Sequence, residues 1–307
     1  MNCEDHQHTN AGHKQGSGVE KKLLWAFFIT FGIFITEVIG GFISTSLALQ
    51  SDAGHLLGDV MALGLSLIAI RIARRPPSPR RTFGYQRAEV FAAIINGVTL
   101  TVLSGYIFIE AYHRLIEPEP IRSMLMLTVA IIGLAGNSIV IFRLHGHAKE
   151  NINVRAAFLH VLGDMLASVG VVIGGLIMLF TGNYLADPII SFFIGIIILF
   201  GAFSILKEGA NILLEGVPGN IDYTEIKTAM ENIDGVSSVH DLHIWTISSS
   251  NLVLSAHVSV PDQPTHNSQR ILKSVSDFLK DKYRIQHATL QIECECCAET
   301  DCGCAVF

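Results

Sequence analysis

Residues 51–70 read SDAGHLLGDVMALGLSLIAI, a long apolar stretch that opens with two aspartates and a histidine. Residues 155–181 read RAAFLHVLGDMLASVGVVIGGLIMLFT and contain the same arrangement, a histidine followed four positions later by an aspartate with glycine directly before it. A helix needs about 20 mostly apolar residues to cross about 30 Å of hydrocarbon. Both stretches therefore predict membrane-spanning helices that carry ionisable side chains.

Four further stretches are long and apolar enough to span a membrane, which makes six. The predicted spans cover residues 23–46, 52–72, 88–112, 123–143, 155–181 and 188–207. The mean hydropathy of +0.45 and the 16% of charged residues agree with a chain that lies largely in lipid. We expect an α-helical membrane protein, a six-helix transmembrane bundle with both chain ends on one side.

The connections after the second and fourth spans hold the excess of basic residues. Six arginines lie between positions 71 and 87, and Arg143, Lys149 and Arg155 follow the fourth span, whereas residues 47–51 and 182–187 contain no lysine or arginine. The positive-inside rule then places both termini in the cytosol. Residues 1–20 have no apolar signal-peptide core, so the first helix is expected to be an uncleaved span. The expected location is the inner or plasma membrane of a bacterium, or an organelle membrane of a eukaryote.

The composition changes after residue 214, where the sequence reads like a water-soluble domain. We predict four segments: a disordered, histidine-bearing tail at 1–20, the six-span domain at 21–214, a cytosolic α+β domain at 215–293 and a cysteine-rich tail at 294–307. The net charge of −6 makes nucleic acid a poor partner. A cytosolic run of cysteines is more naturally a set of metal ligands or reduced thiols than a disulfide framework.

The cytosolic segment shows an α-β-β-α-β order. Asp222 with Glu225 predicts the start of a helix that reaches about Ile233, and Gly235 closes it. Residues 251–260 alternate, so that Leu254 and Val258 lie on an apolar face and His257 on a mostly polar one. A helix over 267–282 and a strand over 286–293 complete a small domain with a three-stranded sheet.

The two histidine–aspartate elements predict one shared metal site. Residues four apart lie on the same face of a helix, so two such helices facing each other supply four ligands: His55, Asp59, His160 and Asp164. Two imidazoles and two carboxylates suit tetrahedral zinc, and the two negative charges balance a divalent ion. Protons compete for the same lone pairs, which makes proton coupling chemically plausible.

Other polar residues in the spans have structural explanations. Inter-helix hydrogen bonding is expected of Asn96, Asn137 and Ser168. For Glu37 a structural role and a contact with protons or water stay equally open, and Asp52 is expected to be a helix cap or part of the access path rather than a ligand.

The motifs together resemble the cation diffusion facilitator family, in its zinc-transporting branch. The resemblance covers about residues 20–293 and rests on the six spans, the two HxxxD elements and four further motifs. These are TFGYQRAE at 82–89, NVRAAFLH at 153–160, LEGVP at 214–218 and HDLHIW at 240–245.

The resemblance implies a homodimeric zinc/proton antiporter that alternates between cytosol-facing and outward-facing states. It matches His55, Asp59, His160 and Asp164 to the transport site, and it implies cytosolic domains that join the dimer, with no obligatory other protein. His240, His257 and Glu293 match positions at which the family binds regulatory zinc. Three terminal cysteines are expected to complete or replace ligands from a neighbouring subunit: Cys294, Cys296 and Cys297.

Accessory metal sites are less well defined by the sequence. Cys3, His6, His8 and His13 form either a weak metal-collecting tail or a terminus that merely bears histidines, and His145 and His147 form a short histidine loop before the fifth span.

Two alternatives belong to other functional classes. An intramembrane zinc hydrolase also places histidine and aspartate on facing helices, but catalytic zinc usually keeps three protein ligands and an open position. The chain has no HExxH or GxSxG motif. A non-transporting metal sensor is the second alternative, which a measurement of metal flux separates from a carrier.

Overall fold

The computed structural model describes residues 13–73, 75–145, 152–248 and 251–294. Within its helices, the side chains of residues 13–26, 66, 67, 70, 143–145, 152–157, 159 and 160 lie outside this description. The chain divides into two compact units, one formed by residues 1–63 with 98–203 and the other by residues 64–97 with 204–307.

Each of the six predicted spans coincides with a long helix, whose ends differ from the predicted ones by up to ten residues. They are α1 (His13–Ser44), α2 (Leu47–Ala73), α3 (Ala88–Ile116), α4 (Ser123–His145), α5 (Ile152–Thr181) and α6 (Ala186–Leu213). The first predicted span ran to residue 46, but α1 ends at Ser44 because Thr45 adopts a left-handed φ of 59°. Gly182, with φ of 67°, ends α5 in the same way.

Five of these helices are long and apolar enough to cross a membrane within the part of the chain that the structure describes: α1 over Phe27–Ser44, α3 over Ala88–Ile116, α4 over Ser123–Phe142, α5 over Val161–Thr181 and α6 over Ala186–Leu213. The remaining long helix, α2, has 27 residues and carries Asp52, His55 and Asp59. Large apolar side chains point outward from the helices, as with Phe142 at 83% exposed and Phe180 at 82%. Such exposure marks a surface made for lipid.

The unit formed by residues 1–63 and 98–203 has an apolar core between its helices. Leu49, Ile107, Met126, Val171 and Ile198 are buried together there. Glycine lets helices approach closely, because a Cβ at Gly40 of α1 would come within 2.7 Å of Val129 of α4.

Asp187, in the first turn of α6, caps the N-terminus of α2. Its Oδ1 accepts hydrogen bonds from Ser46 Oγ at 2.6 Å and Ala48 N at 3.1 Å, and its Oδ2 accepts from Leu47 N at 2.8 Å. The first N–H groups of a helix have no partner within the helix, and a carboxylate also suits the positive end of the helix dipole. A side chain of α6 therefore fixes the start of α2, the helix that carries two of the four predicted metal ligands.

Arg114 of α3 completes this buried polar cluster. Its Nη1 lies 3.7 Å from Asp187 Oδ2 and its Nε donates to Glu110 Oε1 at 2.8 Å. Arg114 also donates to the backbone carbonyl of Thr45, in the turn between α1 and α2. The cluster joins that turn to α3 and α6.

The second unit contains the predicted α-β-β-α-β order, which is confirmed. Its elements are α7 (Tyr223–Glu231), β1 (Ser238–Ser248), β2 (Asn251–Val260), α8 (Thr265–Tyr283) and β3 (His287–Cys294). The sheet order is β1-β2-β3, with β2 antiparallel to β1 and parallel to β3. A parallel pair needs a crossover connection, and α8 provides it.

The start of α7 is as predicted, but the helix ends at Glu231, before the predicted Ile233 and Gly235. Asp222 Oδ1 accepts hydrogen bonds from Thr224 N at 2.8 Å and Glu225 N at 3.1 Å, so Asp222 is the N-cap of α7. Leu254 and Val258 are buried in the core with Met230 and Leu279.

One detail of the alternation differs from the prediction. Strict alternation predicts Val253 and Ser259 on the same mostly polar face as His257, but both are buried. Val253 lines a cavity with Pro77 and Phe83 of the loop before α3, which covers this part of the sheet.

The Asp187 cap is open to a stability test. In Asp187→Ala, Ser46 Oγ and two backbone N–H groups lose their acceptor in a buried site, and each such loss costs about 1–3 kcal/mol. We expect a clearly lower midpoint of thermal unfolding for the detergent-solubilised variant, whereas Asp234→Ala, at an exposed position, serves as the control and melts like the parent. Equal midpoints for the parent and Asp187→Ala would contradict the cap.

Candidate metal centres

The helices α2 and α5 bring three of the four predicted intramembrane ligands together. His55 Nε2 lies 3.3 Å from Asp164 Oδ1, and one ligand atom from each of His55, Asp59 and Asp164 lies within 4.8 Å of the others. His55 and Asp59 share a face of α2 because they are four residues apart. The three side chains are therefore close enough to bind one metal ion together.

The burial of this group is uneven. Asp164 is 2% exposed, whereas the side chain of His55 is 25% exposed and Asp59 is half-buried. Among the described side chains, Asp164 of α5 is thus shielded, whereas His55 and Asp59 of α2 are partly accessible.

His160 is the fourth predicted ligand and lies on α5, four residues before Asp164. Its side chain lies outside the described residues. Its backbone position is the one that the HxxxD pattern requires, since residues four apart share a helix face.

A hydrogen-bonded network lies beside this group. Ser168 Oγ donates to Asp52 Oδ2 at 3.1 Å, and Asn137 Nδ2 donates to Ser168 Oγ at 3.4 Å. Asn137 and Ser168 therefore join α4, α5 and α2, as expected of inter-helix contacts. Asp52 is not the cap of α2, because the helix already begins at Leu47 and is capped by Asp187.

Glu37 of α1 is also deeply buried, at 1% exposed. Neither of its carboxylate oxygens has a hydrogen-bond partner among the described residues.

The three-stranded sheet assembles a second group from His240, His257 and Glu293. Glu293 Oε2 lies 3.1 Å from His240 Nε2, and Glu293 Oε1 lies 2.9 Å from His257 Nδ1. The two imidazole rings have centroids 5.3 Å apart at 79°. Two imidazoles and a carboxylate whose ligand atoms lie within 4.8 Å form a donor set that fits zinc.

Strand register produces this second group. His240 of β1 is paired directly with His257 of β2, and Glu293 of β3 is paired with Ser259, two residues farther along β2. Side chains two residues apart on a strand point to the same face, so all three strands contribute to one patch.

Asp241 is a residue of this site that the sequence reasoning missed. Its Oδ2 lies 3.7 Å from His257 Nε2, and its Oδ1 lies 3.0 Å from His243 Nε2. Strict alternation places Asp241 on the opposite face from His240, but the register of β1 is irregular between His240 and His243 and Asp241 has φ of 49°. Aspartate is among the few residues enriched at such angles, which was the available signal.

The structure does not bring Cys294, the predicted cysteine that it describes, into this group. Cys294 is half-buried and follows Glu293 directly in β3, so the strand directs the two side chains to opposite faces. Cys296 and Cys297 lie outside the described residues, as do Cys3, His6, His8, His147 and the side chains of His13 and His145.

Two family models match this chain and together cover most of it. Residues 23–214 match the family model of the cation efflux transmembrane domain, and residues 218–295 match that of the cytoplasmic domain of cation efflux proteins. The metal-bound C-terminal domain of the CzcD transporter from Cupriavidus metallidurans aligns with 24% of this chain and 99% of its own, at 34% identity and a TM-score of 0.22.

Two relatives are similar to this chain over nearly its full length. The zinc transporter ZitB of Escherichia coli is 41% identical over 302 residues, which cover 98% of this chain and 95% of that protein. The cadmium, cobalt and zinc/H(+)-K(+) antiporter of Bacillus velezensis is 43% identical over 291 residues, covering 94% and 91%. The hydrolase alternative is wrong, because the matching family consists of cation efflux proteins and not of enzymes. The chain belongs to the cation diffusion facilitator family, whose members are multi-pass membrane proteins of cation efflux.

Proposed function

We propose that this protein exports zinc from the cytosol in exchange for protons, through the site formed by His55, Asp59, His160 and Asp164. The observation that supports this most directly is the 3.3 Å contact between His55 Nε2 and Asp164 Oδ1, which joins α2 and α5. Ionisable side chains at membrane depth are rare and mark transport pathways.

Charge balance favours a divalent cargo at this site. Asp59 and Asp164 carry two negative charges, which neutralise one divalent ion in a low-dielectric setting. With His160 the protein supplies all four ligands of a tetrahedral ion, which suits carriage better than catalysis. A tetrahedral divalent ion with these ligands is typically zinc, which is therefore the proposed substrate.

Proton exchange follows from the chemistry of the same ligands. Zinc binds neutral imidazole and ionised carboxylate, so protonation of His55 or Asp164 competes with the metal. A conformational change that exposes the site to the opposite side then lets protons displace zinc there.

The names of the relatives point in the same direction. One is a zinc transporter, and another is an antiporter of cadmium, cobalt and zinc against protons and potassium. For this chain we propose zinc as the main cargo, with protons as the counter-substrate.

The proposal includes a homodimer in the membrane, with both termini in the cytosol, a transmembrane domain over 21–214 and a cytosolic domain over 215–293. The match of residues 218–295 to the cytoplasmic domain of cation efflux proteins supports the cytosolic placement. The matching model is associated with dimerisation in this family. No obligatory other protein is part of the proposal.

The second group gives the cytosolic domain a regulatory role. We assign His240, His257 and Glu293 to zinc that regulates transport, with Cys296 and Cys297 of the chain end as the proposed source of further ligands. A ligand shifts a conformational equilibrium only by its difference in affinity for the two states. Zinc bound here favours the conformation in which the cytosolic domains are held together.

Removal of one intramembrane carboxylate tests the transport site. In Asp59→Ala or Asp164→Ala the charge of zinc is only half compensated, so zinc-dependent proton flux into proteoliposomes should fall to background. Asp277→Ala, at an exposed position of α8, should transport like the parent. Near-normal flux in either carboxylate variant, correctly inserted and dimeric, would exclude the four-ligand site.

A change of ligand type tests selectivity. His55→Asp replaces a nitrogen ligand with oxygen and adds a negative charge, which suits larger and differently coordinated ions. We expect the rate of cadmium transport to rise relative to that of zinc when both are measured in the same vesicles. If the ratio of the two rates stays constant, selection takes place elsewhere along the pathway.

The regulatory assignment predicts a different kind of defect. His257→Ala or Glu293→Ala should keep measurable transport but lose part of its activation by cytosolic zinc, and zinc binding by the full chain should weaken at least about tenfold at this site. His266→Ala, at an exposed position of α8, is the matched histidine control. Complete loss of transport in correctly inserted variants would refute the division between transport and regulation.

A further inference from the structure

The loop between α2 and α3 concentrates positive charge. Residues 71–87 contain six arginines and no aspartate or glutamate. Arg75, Arg80 and Arg81 are exposed. Within the part of the chain that the structure describes, no carboxylate lies within ion-pair distance of these three. Their charge is therefore available to a ligand.

The loop has a defined backbone conformation. Ser78 N donates to Arg81 O at 3.1 Å, Arg81 N donates to Ser78 O at 2.8 Å, and Gly84 N donates to Arg81 O at 2.8 Å. The guanidinium of Arg81 lies 4.3 Å from the centre of the Tyr85 ring, a cation–π contact. The arginines are thus presented by a folded turn, which lowers the entropic cost of binding.

An open cavity of about 540 Å³ lies beside this turn. Its lining combines cationic and aromatic side chains, including Arg80, Arg81, Arg87, Tyr85, Phe91 and Trp245. Glu215 is the carboxylate in the lining, and Arg87 neutralises it through a contact of 2.8 Å. Arg80 and Arg81 therefore set the net charge of the cavity.

The cavity adjoins the start of a membrane span. Phe91 lies in the first turn of α3 and is 56% exposed, and Ile95, 54% exposed, continues the apolar face one turn farther along the same helix. The positive-inside rule explains why arginines occur in such a loop, but it does not require a folded turn or an aromatic cavity. The combination matches a ligand with an anionic head and an apolar body.

We propose that this cavity binds the phosphate headgroup of an anionic phospholipid, with the acyl chains directed along the exposed face of α3. Arginine suits phosphate because its planar guanidinium donates two parallel hydrogen bonds to the oxygens. Clusters of basic residues next to a membrane helix attract anionic lipids. Phe91 and the adjoining span favour a lipid over a soluble phosphate.

Tryptophan fluorescence provides the test, because Trp25 and Trp245 are the two tryptophans of the chain and Trp245 lines the cavity. The full chain with Trp25→Phe, in an uncharged detergent, is titrated with dihexanoyl-phosphatidylglycerol. We expect a saturable change in emission with this lipid and none with dihexanoyl-phosphatidylcholine. Arg80→Gln with Arg81→Gln should weaken binding about twenty-five-fold, since each arginine next to an anionic lipid contributes about fivefold.

Two further variants test whether the loss of binding comes from this site, rather than from a lower overall charge or from a misfolded loop. Arg270→Gln with Lys273→Gln removes two charges from α8 and should bind the lipid like the parent. Arg80→Gln alone leaves Arg81 stacked on Tyr85 and should weaken binding about fivefold. Unchanged binding in both Arg80 variants, or an equal loss in the α8 variant, would overturn the proposal. A response to inorganic phosphate or glycerol 3-phosphate equal to that of the lipid would instead identify a site for soluble anions and would also overturn it.

Discussion

The cost of placing carboxylates inside an apolar helix bundle governs this structure. Three buried aspartates offset this cost with different partners. Asp187 accepts three hydrogen bonds at the N-terminus of α2, Asp52 accepts one from Ser168, and Asp164 contacts His55. The first two partners are fixed hydroxyl and amide donors, which suit permanent structure. The third is an imidazole, which exchanges protons and binds metal. The kind of partner therefore separates the two carboxylates that have fixed donors from Asp164, the one that we propose binds cargo.

The sequence predicted the features that follow from the local spacing of apolar and polar residues. Apolar length predicted six long helices, alternation and capping predicted α-β-β-α-β, and the paired HxxxD elements predicted that His55 and Asp164 would meet. The cap on α2 was not predictable, because Ser46 and Asp187 are far apart in the chain and follow no period. Asp241 was missed because an irregular register in β1 breaks the alternation on which the strand reasoning relied. Long-range and irregular contacts were thus the ones that needed coordinates.

The two candidate metal groups use different scaffolds. In the helix pair, His55 and Asp59 are one turn apart and the partner Asp164 comes from a second helix, so any relative movement of α2 and α5 changes the distances between ligands. In the sheet, backbone hydrogen bonds fix the register of His240, His257 and Glu293. A site that must take up and release ions gains from the first arrangement, and a site that senses them gains from the second.

The parallel pairing of β2 with β3 has a consequence for biosynthesis. Glu293 lies on β3, which follows every other helix and strand of the described chain and reaches β2 only after α8 has crossed the sheet. A ribosome has therefore synthesised all the long helices before the group of His240, His257 and Glu293 is complete. A chain released before β3 carries the long helices without this group. Of the two candidate metal groups, the one on the sheet is thus always the later to be completed during translation.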